Sequence, residues 1–200
     1  MGEPVGVSTA CKYPLVTEMS LEWAGAQGYK TAELFINSPS EIKPGFIRRL
    51  CNIRDRYGMD IVSVHPYTSL YESYYFFSDY ERRFTDALIS FDELARAVKA
   101  VGAGILVMHG AKIKGSVDVR EVSHRFCILS EICERHGVTL AQENVNLHCS
   151  QDPEWLRQLR LYSGASFKMV LDTKQAYRAG HTPFEFLDEF HDDIIHLQLL

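Results

Sequence analysis

The chain has 200 residues, 46% of them apolar and 24% charged, with 21 Lys and Arg against 26 Asp and Glu for a net charge of −5. Such values describe a globular protein long enough to bury a core; they argue against the basic surface of a general nucleic-acid binder, and no apolar run approaches the about 18 residues of a membrane span. The opening MGEPVGVSTA lacks a basic stretch ahead of a long apolar segment, so no secretory signal is expected, and Cys11, Cys51, Cys127, Cys133 and Cys149 are odd in number with no C-x-x-C pair, as for reduced thiols of a cytoplasmic protein.

In chain order, apolar runs alternate with helical stripes. A first strand is predicted over 5–10. Gly28 then punctuates the end of a helical pattern and a second strand follows at 32–37. Phe46, Leu50, Ile53 and Tyr57 form a stripe that ends at Gly58, and a third strand follows at 60–65. Phe84, Leu88, Phe91, Ala95, Val98 and Val101 repeat the pattern before Gly102 and a strand at 104–109. Val119, Val122, Phe126, Leu129 and Ile132 repeat it again before Gly137 and a strand at 138–143. Asp152-Pro153 reads as the cap and first residue of a helix that closes at Gly164 ahead of a strand at 167–172. Thr182-Pro183 opens another helix before a seventh strand at 193–199. Gly just past a helix adopts the left-handed conformation at no steric cost. Short apolar runs with little polar alternation suit parallel strands buried on both faces.

Strand alternating with helix predicts an α/β protein with a parallel sheet. No glycine-rich dinucleotide turn follows the first strand, so a (β/α)8 TIM barrel is expected rather than a doubly wound sheet. No linker or charge block divides the chain, and a single domain over 1–200 is expected. A barrel of this kind ordinarily needs about 250 residues. The sequence ends on its seventh strand, and a truncation with the eighth βα unit missing is expected.

The chemistry of such barrels gathers at the C-terminal ends of the strands. Strand three ends at His65, strand four at His109, strand five at Glu143-Asn144 and strand six at Asp172-Thr173, while strand seven carries His196. His, Asp and Glu are about one residue in six of this chain, far too few for five successive strand ends to be expected by chance. A lone histidine on an apolar strand is more often a hydrogen-bonded core residue. Three in phase with two carboxylates read instead as a divalent-metal site, because imidazole nitrogen and carboxylate oxygen suit zinc and manganese. Two buried carboxylates are costly without a cation. Cobalt and magnesium also fit the pattern.

The order of His65, His109, Glu143, Asp172-Thr173 and His196 resembles the xylose isomerase-like TIM-barrel superfamily, which contains sugar and sugar-phosphate isomerases and epimerases and the zinc-dependent apurinic-site endonucleases. The resemblance implies that Glu143, Asp172 and His196 bind a divalent metal with a Glu from an eighth strand, and that Glu143 is also a catalytic acid–base residue. It further implies that His65 and His109 bind an additional zinc in the manner of the endonucleases or line a substrate pocket in the manner of the sugar enzymes. Gln175, in Asp172-Thr173-Lys174-Gln175-Ala176-Tyr177, stands where the endonucleases have a third-zinc histidine, and an amide is a poor zinc ligand.

These features predict a metal-dependent sugar or sugar-phosphate isomerase or epimerase that acts by proton transfer through an enediolate. An apurinic-site endonuclease and a non-catalytic carbohydrate-binding barrel are the alternatives. The expected partner is a small sugar; a homo-oligomer is compatible with the sequence, a membrane is not. Lys112, Asn144, Glu33, Gln175 and Tyr67 are the predicted substrate contacts, and Asn146 flanks the same carboxylate. Tyr67, Tyr71, Tyr74, Tyr75, Phe76 and Phe77 lie in one long loop after strand three. They read either as a lid that stacks on a sugar or as an apolar cluster that closes the loop. Cys11 and Cys149 read as packing residues, and Arg48, Arg49, Arg54 and Arg56 as a solvated helix face.

Overall fold

The computed structural model describes residues 5–113 and 118–199. Seven strands, β1 (Val7–Ser8), β2 (Thr31–Phe35), β3 (Asp60–His65), β4 (Ile105–Met108), β5 (Thr139–Glu143), β6 (Met169–Asp172) and β7 (Ile194–Gln198), lie side by side in sequence order. All neighbouring pairs are parallel. Between them run α1 (Thr17–Ala26), α2 (Pro44–Tyr57), α3 (Glu72–Tyr75), α4 (Glu81–Val101), α5 (Val119–Arg135), α6 (Pro153–Ser163), α7 (Thr173–Arg178) and α8 (Pro183–Phe190). The sheet curls strongly enough for Gln198 on β7 to donate from Nε2 to Glu33 Oε2 on β2 at 3.0 Å. This is the TIM-barrel fold, with seven strands described.

The punctuation read from the sequence is the punctuation of the structure. Gly58 (φ 57°) and Gly102 (φ 96°) end α2 and α4 in the left-handed conformation. Asp152 caps α6 by accepting from the Glu154 N–H, with Pro153 in the first turn. Thr182 and Glu185 form a reciprocal capping box on α8. Strand limits fall within two residues of those predicted, and β1 is shortened at both ends, stopping at Ser8. There the Ser8 hydroxyl accepts from the Ala10 N–H at 3.3 Å and turns the chain into the 3-10 helix Thr9–Lys12.

Register decides what the barrel holds inside. Glu33 pairs with Ser63, Phe35 with His65, and Ser63 with Ile105. Val107 pairs with Ala141, Glu143 with Val170, Val170 with His196, and Asp172 with Gln198. Side chains alternate between the two faces of a strand, so these residues share the inner face. Val107, Ala141 and Val170, with Ile105 against them, form a small apolar cluster separate from the main core. The main core lies between sheet and helices, where Leu34, Leu106, Leu140 and Met169 meet Phe91, Phe126, Leu156 and Phe186.

The aromatic segment after β3 is not one long loop. It forms the 3-10 helix Tyr67–Leu70 and then α3. Phe76 is buried with its ring 5.3 Å from that of Phe91, while Tyr71, Tyr74 and Tyr75 face outward. Arg125 on α5 ties the end of this segment down. Its guanidinium is buried and donates to the carbonyls of Phe76 (3.0 Å) and Ser78 (2.7 Å) and to Glu81 and Glu121. Arg125→Met is expected to strand two carbonyls and lower unfolding free energy by about 2–4 kcal/mol. Urea denaturation checks this, and a loss under about 0.5 kcal/mol would show that Arg125 does not anchor the segment.

Candidate functional site

Three of the predicted residues meet. His65 ends β3, Glu143 ends β5, and His109 follows β4 directly. His65 Nε2 and His109 Nε2 lie 2.8 Å apart, and each is 3.2 Å from Glu143 Oε2. His65, His109 and Glu143 therefore form a group able to hold a metal ion, with all donor atoms within 4.8 Å of one another. Asp172 and His196 share the inner face, but among the described residues they stand outside that group.

The electrostatics follow from burial. Glu143 is 2% exposed. Burial alone would raise its pKa, but the bonds from His109 and His65 overcome this and hold it at about 2. Burial works against a charge on His109 too, yet its bond to Glu143 raises it above the usual imidazole value. Burial raises Asp172, against the pull of the Gln175 N–H that its Oδ1 accepts at 2.8 Å.

Each ring is held from behind. The Ser69 hydroxyl donates to the Pro66 carbonyl at 2.9 Å, so at 3.2 Å it accepts from His65 Nδ1–H, which leaves Nε2 facing Glu143. Phe35 stacks on the same ring with centroids 4.5 Å apart. Gln142, buried behind β5, donates from its amide to the carbonyls of Met108 (3.1 Å), His109 (2.9 Å) and Glu143 (2.9 Å). Gly110 (φ 81°) passes so close that a Cβ there would lie 2.7 Å from Gln142 Oε1.

The donor set suits a divalent cation. It offers one ionised carboxylate oxygen and two imidazole nitrogens, each able to release a proton when a cation binds. Their separations of 2.8–3.2 Å are close to the about 3.3 Å between donors on a tetrahedral zinc.

The other predicted residues have structural partners. Asn144 clamps β5 to β6, donating to the Asp172 carbonyl at 3.0 Å and accepting from the Asp172 N–H at 2.7 Å. Gln175 Oε1 accepts from the Asn146 N–H at 3.2 Å. Lys112 is exposed, with its N–H on Ser73 Oγ at 2.6 Å. Tyr67 is partly buried, which raises its hydroxyl pKa. Glu33 lies inside the barrel against Ser63, His196 and Gln198; burial pushes its carboxyl up, but those bonds and the charge of His65 bring it below the ordinary value.

Three neighbours were not legible in the sequence. Ser69 orients His65. Glu72 reaches from α3 to accept from the Gly110 N–H at 2.6 Å, its pKa raised by burial. His148 packs edge-on to His109 with ring centroids 5.6 Å apart, and burial lowers its pKa to about 4. All three sit in the segments that follow β3 and β5, outside the strand ends where ligands were sought. Leu147, at φ 65°, makes the turn that brings His148 in.

A family model described as xylose isomerase-like TIM barrel matches residues 21–199. No curated protein matches the chain. Among solved structures, a D-tagatose 3-epimerase-like protein is similar at 20% identity with a TM-score of 0.79, over 98% of this chain and 75% of that one. A 3-keto-D-glucoside 4-epimerase from E. coli is similar at 13% identity with a TM-score of 0.78, over 99% of this chain and 79% of that one. An AP endonuclease, family 2, from Brucella melitensis is similar at 13% identity with a TM-score of 0.74, over 99% and 79%. At these identities the likenesses establish the fold alone.

Gln142→Leu is expected to strand the carbonyls at the ends of β4 and β5 and to cost about 1–3 kcal/mol of stability. Thermal and urea unfolding read this out; an unchanged midpoint would show that the amide is not what fixes His109 and Glu143.

Proposed function

The chain belongs to the xylose isomerase-like TIM barrel family, and we propose that it is a divalent-metal-dependent isomerase or epimerase of a sugar or sugar phosphate. The observation that carries this reading is the meeting of His65, His109 and Glu143 at three adjacent strand ends. The two epimerase structures with the same fold support it.

When bound, a cation such as zinc or manganese would supply Lewis-acid stabilisation of the negative charge of an enediolate. The chain's own residues do the rest. His65 and His109 would present Nε2 atoms to the cation, with His65 fixed in the correct tautomer by Ser69. Glu143 is ionised at neutral pH, and both imidazole contacts fall on Oε2, so Oε1 is the oxygen that would take a carbon-bound proton, with a second carboxylic acid from an eighth strand giving a proton back to complete the exchange. Asp172 and His196, on the same inner face, would complete the ligand set. Lys112 and Tyr67 would contact hydroxyls or a phosphate of the sugar.

A second reading has its own support. His65 and His109 match zinc ligands of the apurinic-site endonucleases, and the Brucella protein shares the fold. Against it, Gln175 holds Asn146 in place of a metal-binding histidine.

Elemental analysis of the purified protein is expected to give bound transition metal, and chelation is expected to abolish ketose epimerisation or isomerisation. Glu143→Gln is expected to lower kcat by about 10²–10⁴-fold with the fold intact by circular dichroism. Turnover retained by Glu143→Gln would sink the assigned role, and cleavage of an abasic-site oligonucleotide without sugar turnover would select the endonuclease.

A further inference from the structure

The inner face carries a second imidazole–carboxylate grouping one rung below the first, and its hydrogen bonds fix where its proton sits. Glu33 Oε2 accepts from Ser63 Oγ at 2.9 Å and from Gln198 Nε2 at 3.0 Å. His196 Nε2 faces two of these atoms, lying 3.4 Å from Ser63 Oγ and 3.5 Å from Glu33 Oε2. An amide nitrogen only donates, so Glu33 Oε2 is an acceptor. Ser63 has one proton, and the shorter contact to Glu33 takes it. Both atoms facing His196 Nε2 are then acceptors, and Nε2 must carry the hydrogen. Among the described residues Nδ1 of His196 has no hydrogen-bond partner.

Resting on the reading of a cation site above, we propose that Glu33 is a positioning residue: clamped across the barrel by Ser63 and Gln198, it holds the proton of His196 on Nε2 and leaves Nδ1 as the donor atom offered to a cation. Carboxylates behind metal-binding histidines set tautomer and ring orientation in this way. The clamp is also a matter of barrel curvature, because it joins β2 and β3 to β7, which lies four strands beyond β3 in the sheet order. Glu33 is thus assigned to His196 rather than to a sugar hydroxyl.

The test uses the full chain with ¹⁵N-labelled histidine, His196 being assigned through His196→Gln. In metal-free protein near neutral pH, the two-bond ring spectrum of His196 is expected to show the Nε2–H tautomer. Glu33→Gln, whose amide oxygen can still accept, is expected to keep that tautomer and to bind Co²⁺ within about threefold of wild type. Glu33→Ala is expected to mix the tautomers and weaken Co²⁺ binding by about 10–100-fold, with substrate-free titration as the readout. An Nδ1–H tautomer in the wild type overturns the assignment, as does a Glu33→Ala protein with wild-type tautomer and affinity. Failure of the wild type to bind Co²⁺ at all would sink the cation reading, while the tautomer spectrum would still decide the role of Glu33.

Discussion

Burying Glu143 sets the terms for everything around it. A carboxylate that is 2% exposed at the end of a buried strand costs several kcal/mol unless positive or hydrogen-bond-donating groups meet it. Two imidazoles do so on a single oxygen, and they come from β3 and the end of β4, the strand neighbouring β5 and the next one over. The parallel order of the sheet is what makes this meeting cheap. Strand spacing of about 4.8 Å lets side chains of two or three adjacent strand ends converge without loop rearrangement.

Convergence alone does not fix geometry. The rings and the carboxylate are held from behind by groups that touch no cation themselves: Ser69 on His65, the Gln142 amide on three carbonyls, and the reciprocal Asn144–Asp172 pair between β5 and β6. Arg125 and Glu72 extend the same support outward, fastening the aromatic segment to α5 and to the Gly110 N–H. Each of these is a buried polar group with a partner, so removing one leaves another exposed to the same desolvation cost. A substitution well away from the three donors is therefore felt at them.

The strands were legible because glycine after each amphipathic stripe and a short apolar run after each glycine are local signals with local causes. The donors were legible because period two puts every strand-end ligand on one face, and the observed register keeps Glu33, Ser63, His65, Glu143, Asp172 and His196 in phase. Which of them touch was not legible. That depends on the curl of the sheet and on rotamers set by groups distant in sequence, such as Gln198 on Glu33 across 165 residues. Nor were Ser69, Glu72 and His148, whose places follow from the packing of loops rather than from any pattern in their own segments. The brevity of β1 has a local cause, a serine that caps its own turn, which an apolar-run reading does not weigh.

Strand β3 links the two histidine–carboxylate groupings. Ser63 and His65 occupy successive inner positions on it, one bound to Glu33 and the other facing Glu143. Beside them on the same inner face Val107, Ala141 and Val170 form a small apolar cluster. The inner face thus carries two groupings of carboxylate and imidazole next to apolar residues of the same strands. A proton or a cation placed on one rung changes the charge met by the other, because Glu33 already feels His65. The fold is shared by epimerases and an endonuclease and cannot select between them. Within this chain the inner face separates two groupings: His65 and His109 crowd one oxygen of Glu143, and Glu33 holds His196 on a separate rung. This division of labour puts both imidazole contacts of Glu143 on Oε2 and both contacts of His196 on Nε2.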